Sequence, residues 1–478
     1  MFATQLAAQE PVDQAAIARI KDEGLNRSQV LTAFDHLTNV IGPRLTNSPA
    51  FRQAVEWVAG EAKRYGLANV HTEAWPFGRG WTLEKLTIEM TAPRYFPIIA
   101  YPEAWTPSTR GELLGTPVYV GDLSADQVRA RKADLAGKIV LPWKPQTEFI
   151  TRDRVQPADH QERVPIGAPP NVATSGPVDR RGLPALMREV GAAAVLQPNQ
   201  GEDGTLFVLG NRGTPDDAVP SLILASEQYN MIARMLQQGV PVQLRLNLQT
   251  RYYAADTNAL NVIAEIPGTD PRIGDEVVMV GGHLDSWHSG TGATDNADAA
   301  AELLEAARIL KTLGLKPRRT IRFAWWGGEE QGLLGARAWV DQHLAGDANA
   351  VARGRFDVYF NQDPGTGPIY GWYLEENQAV QPIFDAWLNA LKDVGARTNV
   401  LDKIGSTDHL AFIAAGVPGF NSIQDYTDYD TRTHHTNMDV YERVKPDDLK
   451  QAAIVLAAFA YQAAMRDEKI PRAPRMTP

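Results

Sequence analysis

Three short apolar runs in the second half of the chain each hand over to a side chain that can bind metal. His283 closes VVMVGGH, Glu329 and Glu330 follow FAWWGG, and Asp363 follows VYFNQ. Asp295 stands 12 residues beyond His283, at the start of the helical pattern DNADAAAELLEAARIL, and His435 lies far downstream in THHTNMDVYERV. The chain has no cysteine, so thiolate ligands and disulfides are excluded and any metal must be held by His, Asp and Glu. Imidazole and carboxylate suit zinc. Two dications held side by side need a shared carboxylate to offset their repulsion, with a histidine on each flank. That arithmetic gives His283 and His435 as terminal ligands and Asp295 as the bridge. Glu330 and Asp363 complete the spheres of two zinc ions per chain.

Glu329 is then left beside a ligand without being one. Adjacent residues on an extended or turning backbone point apart, so Glu329 can face water while Glu330 faces metal, and it is the candidate general base. Asp285, two residues past His283, is suited to accept the imidazole's other N–H and orient the ring. Each feature alone has an ordinary explanation. An HxD after a strand is usually a turn, a Glu-Glu pair is usually helix surface, and an Asp at a helix start is usually an N-cap. The ordered set carries the metal reading, with strand-end ligands recurring between residues 283 and 363.

The elements that must position this set read as α/β. NALNVIAEIPG, EVVMVGGHLD, TIRFAWWGGEE and FDVYFNQD are apolar strands bounded by Gly, Pro and Asp, with helical patterns between the later ones. Ligands in open α/β sheets gather beyond the carboxyl ends of strands, which is where these side chains fall. SPAFRQAVEWVAGEAKRYGL predicts a helix capped by Ser48 and Pro49 and stopped at Gly66, followed by the strand VHTEAW. DDLKQAAIVLAAFAYQAAM is apolar nearly all round and predicts a buried packing helix. The expected division is 16–111 for the first part of the main domain, 112–252 for a smaller β-rich insertion, and 253–468 for the part carrying the metal site. The insertion has candidate strands KIVLPW, AAAVLQP, PSLILAS and VQLRLNLQTRYY, helices GLPALMREVG and EQYNMIARMLQQG, and a proline-rich loop over 145–182. It carries no catalytic constellation and reads as an accessory unit that shapes access.

At these blocks the sequence resembles the M28 family of di-zinc metallopeptidases, most closely its carboxypeptidase Q-like branch. GGHLDSW, GATDNADAAAELLEAARIL, WGGEEQGLLGARAW, QDPGTG and HHTNMD are similar to that family's core blocks, and the 112–252 segment is similar to its protease-associated (PA) insertion. The resemblance implies a zinc exopeptidase fold, a mixed β-sheet flanked by helices. It places ligands on His283, Asp295, Glu330, Asp363 and His435, with Glu329 as base. Preferring His435 to His434 rests on the His-Thr-x-x-Asp block. Where many relatives have Tyr before the last ligand this chain has His434, a candidate donor to the developing oxyanion. STDHLAFIAAGVPGF resembles a loop near the active site, so Asp408 and His409 are either pocket residues or structural turn residues. His36, His71, His160 and His343 lie outside every block. His288 is close to the site in sequence without an assigned contact. Arg432 is a lone cation near His435, and the acidic loop DYTDYDTR is a candidate for recognising an amine.

The implied reaction is hydrolysis of peptide bonds at chain ends, as aminopeptidase, dipeptidase or carboxypeptidase. Water or hydroxide held between the metals attacks, and unblocked dipeptides are the first substrate class. Alternatives are an inactive binding or receptor protein on the same fold, although no ligand or base is missing, and an M20-type amidohydrolase, where the bridging Asp typically lies much further from the HxD. A single-zinc glutaminyl cyclase-like activity fits the insertion less well. Net charge is −10, from 47 basic and 57 acidic residues, and the basic residues are scattered rather than striped, so nothing points to a nucleic-acid partner and none is expected. No apolar run reaches the ~18 residues of a bilayer helix, so a soluble protein of two or three structural units is expected. MFATQLAAQEPVDQ lacks the basic start and apolar core of a signal peptide and leaves open whether a leader was trimmed. The family resemblance implies an extracellular or periplasmic homodimer.

Overall fold

Successive side chains of VVMVGGH point to opposite faces of a strand, and both faces are buried. Val278 and Val280 enter the larger hydrophobic core, while Val277 and Met279 enter a smaller one on the other side. The computed structural model describes residues 10–159 and 175–473. In it this strand, Val277–His283, is the centre of a seven-stranded mixed sheet. The strand order is Ala68–Pro76, Asn258–Ile266, Thr320–Trp326, Val277–His283, Phe356–Asn361, Gly419–Gln424 and Ile369–Tyr373. The four strands from Thr320–Trp326 to Gly419–Gln424 run parallel, and the outer three join antiparallel. Their shared direction brings His283, Glu329, Glu330 and Asp363 to one edge of the sheet.

Helices cover both faces. The larger core takes Gln14–Asn26, Pro49–Arg64, Asp298–Thr312 and Pro446–Met465, the last buried along almost its whole length. Leu334–His343 and His409–Ala414 pack on the other face through Trp339 and Phe412. Ser48 caps Pro49–Arg64 by accepting from the Phe51 amide at 3.1 Å, and the chain leaves that helix through Gly66 at φ +77°. Among the described residues no helix is long and apolar enough to cross a membrane.

The second unit contains two smaller sheets around one core. An antiparallel sheet runs Phe96–Pro97, Gly80–Ala92, Gln243–Tyr253, Leu113–Gly115. The other runs Ala100–Pro102, Ser221–Leu224, Ala194–Pro198, Ile139–Leu141, Val118–Tyr119 and is parallel except for its first strand. Gly80–Ala92 pairs with Gln243–Tyr253 along its length, and Ile88, Met90 and Ile98 share a core with Leu196 and Leu246. This packing draws in chain well ahead of residue 112, where the sequence reading set the boundary, because burial of an early strand against a late one is not a local signal. The described part of 145–182 contains only a short 3-10 turn at Pro157–Asp159. His160 lies outside the described residues.

Candidate metal centre

Asp295 sits between two imidazoles. Its Oδ1 lies 3.1 Å from His283 Nε2 and its Oδ2 lies 3.4 Å from His435 Nε2. Each histidine then has a second carboxylate, Asp363 Oδ1 at 3.9 Å from His283 Nε2 and Glu330 Oε2 at 3.0 Å from His435 Nε2. Ligand atoms of His283, Asp295 and Asp363 lie within 4.8 Å of one another, as do those of Asp295, His434 and His435. Glu329 Oε2 is 3.9 Å from His283 Nε2 without belonging to either group. The expected ligand positions thus converge on one edge of the sheet.

The loop between His283 and Asp295 is folded back by a buried cation. Arg44 is wholly enclosed and donates to the carbonyls of Leu284 (2.8 Å), Thr291 (2.9 Å) and Gly292 (2.8 Å), and also to Leu37 and Gly42. Burial lowers its pKa to about 10, with Asp439, Asp285, Asp295 and Asp298 opposing the shift, so it remains charged at neutral pH. Gly290 packs against the backbone of Thr436 and Asp439, and a Cβ there would come 2.5 Å from the Thr436 carbonyl. Asp439 fixes the residue before the bridge, accepting from the Thr294 amide (2.7 Å) and hydroxyl (2.9 Å). Asp295 itself is not an N-cap. The helix starts at Asp298, and Asp295 has φ −143° and ψ 78°, so its carboxylate is aimed at the histidines.

The electrostatics call for cations. Asp285, Asp295, Glu329, Asp363 and Asp408 are buried, and the Glu330 side chain is 2% exposed. Burial raises the pKa of Glu329 well above the carboxylate range, a shift eased by His283 and reinforced by Asp363, Asp408 and Glu330. Burial likewise raises Glu330, with Asp295 adding to it. Burial disfavours charge on His283, but Glu329 together with Asp285, Asp295 and Asp363 outweighs it and raises that pKa. Six enclosed acids against three imidazoles and the buried Arg44 guanidinium still leave a costly excess of negative charge without added cations. His283 Nε2 is buried with no hydrogen-bond partner despite the nearby oxygens. Donor types, spacing and that unpartnered nitrogen all fit divalent zinc.

Some supporting roles differ from expectation. The His283 Nδ1 hydrogen bond goes to the main-chain oxygen of Asp285 at 2.9 Å, and the Asp285 carboxylate stands off at 3.7 Å. That carboxylate instead accepts from Thr46 Oγ1 (2.7 Å) and the Glu329 amide (3.2 Å), so it holds the turn carrying the candidate base. The Trp287 amide donates to Glu330 Oε1 at 3.2 Å, leaving Oε2 for His435. His434 lines the cavity, stacked on Tyr429 with ring centroids 5.0 Å apart, and its Nδ1 has no hydrogen-bond partner, the nearest carboxylate being Asp430 Oδ1 at 3.9 Å. Tyr429 lines the same wall. In the sequence it lies within the acidic loop DYTDYDTR, where only its folded position, stacked on His434, marks it as part of the site.

The cleft over the centre has a volume of about 680 Å³, with Leu333, Pro364, Ile404 and Leu410 as an apolar wall. Asp408 and His409 are fully buried beneath it, His409 bonded to Glu375 at 3.2 Å, while their neighbours Ser406 and Thr407 line it. The structural-turn alternative therefore describes Asp408 and His409. His288 is tied to the Pro102 carbonyl at 2.7 Å and does not line the cleft. His36 stacks on Trp57, and His71 and His343 both pair with Glu73. Arg432 is engaged by the Glu202 carbonyl, Thr205 and Asp203. In the acidic loop, Asp430 is consumed by Arg154. Neither Arg432 nor Asp430 is available to grip a substrate terminus.

Residues 261–460 match peptidase family M28. Carboxypeptidase Q of Bos taurus is 28% identical over 436 residues, which cover 91% of this chain and 85% of that protein. A solved structure described as a peptidase M28 precursor from Shewanella amazonensis SB2B aligns at TM-score 0.72 and 24% identity, covering 97% of this chain and 99% of that one. BSAP, a zinc aminopeptidase from Bacillus subtilis, aligns at TM-score 0.60 and 21% identity, covering 92% and 96%. The two structures share the fold.

Proposed function

We propose that the chain, whose residues 261–460 match peptidase family M28, is a metallopeptidase of that family that hydrolyses unblocked dipeptides and similar short peptides at a two-zinc centre. One zinc would be held by His283, Asp295 and Asp363, and the other by His435, Asp295 and Glu330. The observation that carries this is Asp295, with one oxygen turned to each histidine. When bound, the two dications supply Lewis acidity at the scissile carbonyl and bring the pKa of the attacking water towards neutrality. Glu329 takes the proton from that water at its carboxylate and returns it to the departing amine. Asp285 steadies the Glu329 amide, and His434, a donor on the cavity wall, faces the oxygen that gains charge. The apolar wall accepts a side chain and excludes water. On the family resemblance alone, the smaller unit is taken as a PA insertion and the protein as an exported homodimer.

Arg337 favours a free carboxylate at the far end of the substrate. It is exposed on Leu334–His343 and lines the same cleft as Glu329 and Asp363; its guanidinium, which faces the buried Asp408 only at long range, forms no hydrogen bond or ion pair with the other described residues. A charged hydrogen bond to a terminal carboxylate is worth about 1.5 kcal/mol, or roughly tenfold in binding. Arg337→Met is expected to raise KM for free dipeptides about tenfold while leaving KM for their C-terminal amides unchanged. Steady-state kinetics on free, N-blocked and C-amidated dipeptides check both points. N-blocking should abolish cleavage, because the amine binds among the carboxylates. Equal KM changes for acid and amide substrates would remove Arg337 from this role, and unimpaired cleavage of N-blocked substrates would remove the exopeptidase reading.

A further inference from the structure

The loop that carries His435 is held in place largely by the smaller unit, and we infer that this unit is a positioning element for the second metal rather than only a wall of the cleft. The inference rests on His435 being a ligand, as proposed above. Two separate segments of the unit grip Asp428–Asn437. The first is Asp153–Arg154. Asp153 accepts from the amides of Asp428 and Thr431 and from the Thr431 hydroxyl, each at 2.9 Å. Arg154 donates its amide, Nε and Nη2 to the Asp430 carboxylate at 2.7, 2.8 and 2.6 Å. Its guanidinium also lies 5.1 Å from the ring centroids of Tyr426 and Tyr429. Asp430 is fully buried and the Arg154 side chain is 11% exposed, so this bidentate pair is largely shielded from solvent.

The second grip is Glu202–Val208. The Val208 amide donates to the carbonyl of His435 itself at 3.0 Å. Leu206 and Asn437 exchange bonds, amide to side-chain oxygen at 2.6 Å and amide to carbonyl at 3.2 Å. Phe207 sets its ring edge-on to His434 and His435, with centroids 5.7 and 6.1 Å away, and Arg432 reaches back to Glu202, Asp203 and Thr205. His435 has φ +61°, a left-handed conformation that a non-glycine residue holds only when its surroundings impose it. By contrast, His283 ends a central strand of the main sheet and Asp363 follows the next, so they need no such help. The first metal position is therefore built by the main sheet, and the second is completed only when the smaller unit is seated.

Zinc titration of the metal-free full-length chain, followed calorimetrically or with a chromophoric competitor, tests this. The unaltered protein should bind two zinc ions, with the His283 position identified as the step lost in His283→Ala. Arg154→Met should keep that step at unaltered affinity and weaken the other about tenfold or more, and Arg154→Lys should recover part of the loss. Because Arg154→Met leaves Asp430 buried without its partner, Phe207→Ala provides an independent arm with the same expected selective weakening. If Arg154→Met does not fold, the Phe207→Ala result decides. Two unaltered steps in both variants, or equal weakening of both steps, would overturn the inference. A single zinc in the unaltered protein would instead sink the two-metal reading on which it rests.

Discussion

Glu329→Gln is expected to leave the fold and zinc content unchanged and to lower kcat about a thousandfold or more. Proton transfer by a positioned side chain contributes roughly 10² to 10⁴ in rate, and a thousandfold loss corresponds to about 4 kcal/mol of barrier. Glutamine matches the shape of glutamate, so the contacts around residue 329 survive, but its amide cannot accept the proton of the attacking water. No neighbour can replace it. Asp408, one of two other nearby acids outside the ligand set, is fully buried and does not reach the cavity wall. The Asp285 carboxylate is occupied by Thr46 and by the Glu329 amide. Steady-state kinetics together with metal analysis check the expectation. Turnover near that of the unaltered protein would remove Glu329 from its role, and loss of zinc would make it a ligand.

Asp295→Asn should have a larger effect on the centre itself, with activity falling to background and zinc affinity weakening by more than the 10- to 100-fold typical of an outer partner of a ligand. Its two oxygens face different histidines. The substitution leaves only one carbonyl oxygen as an acceptor and removes the negative charge that two adjacent dications would share. The protein should remain folded, since neither Asp295 oxygen caps the following helix and Thr294 stays tied to Asp439. Zinc titration with circular dichroism separates these outcomes. Retention of two tightly bound ions would show that Asp295 does not bridge.

The parts of this arrangement visible in the sequence are those that local periodicity dictates. A strand buried on both faces reads as a short apolar run, and its last residue must emerge at the sheet edge, so the sequence alone puts His283, Glu329, Glu330 and Asp363 at strand ends. Asp295 was legible as a returning residue, although the helix begins three residues later than its pattern suggests. The atoms used by Asp285 were not legible, because a backbone carbonyl can replace a carboxylate without leaving a trace in the sequence. The strand Gly80–Ala92 alternates as a strand should, yet its partner lies some 150 residues away, and nothing local assigns it to the smaller unit. The same holds for the His435 loop, whose conformation depends on Arg154, 276 residues from Asp430. Arg337 and Tyr429 entered the site through the shape of the cleft, which is a property of the packed molecule.

The central claim is that two metals share Asp295. Crystals of the zinc-loaded protein measured at the zinc absorption edge test it most directly. Two anomalous peaks about 3.5 to 4 Å apart are expected, one between His283 and Asp363 and one between His435 and Glu330, with an Asp295 oxygen on each. A single peak, or a pair that leaves His435 or Asp295 uncoordinated, would contradict it.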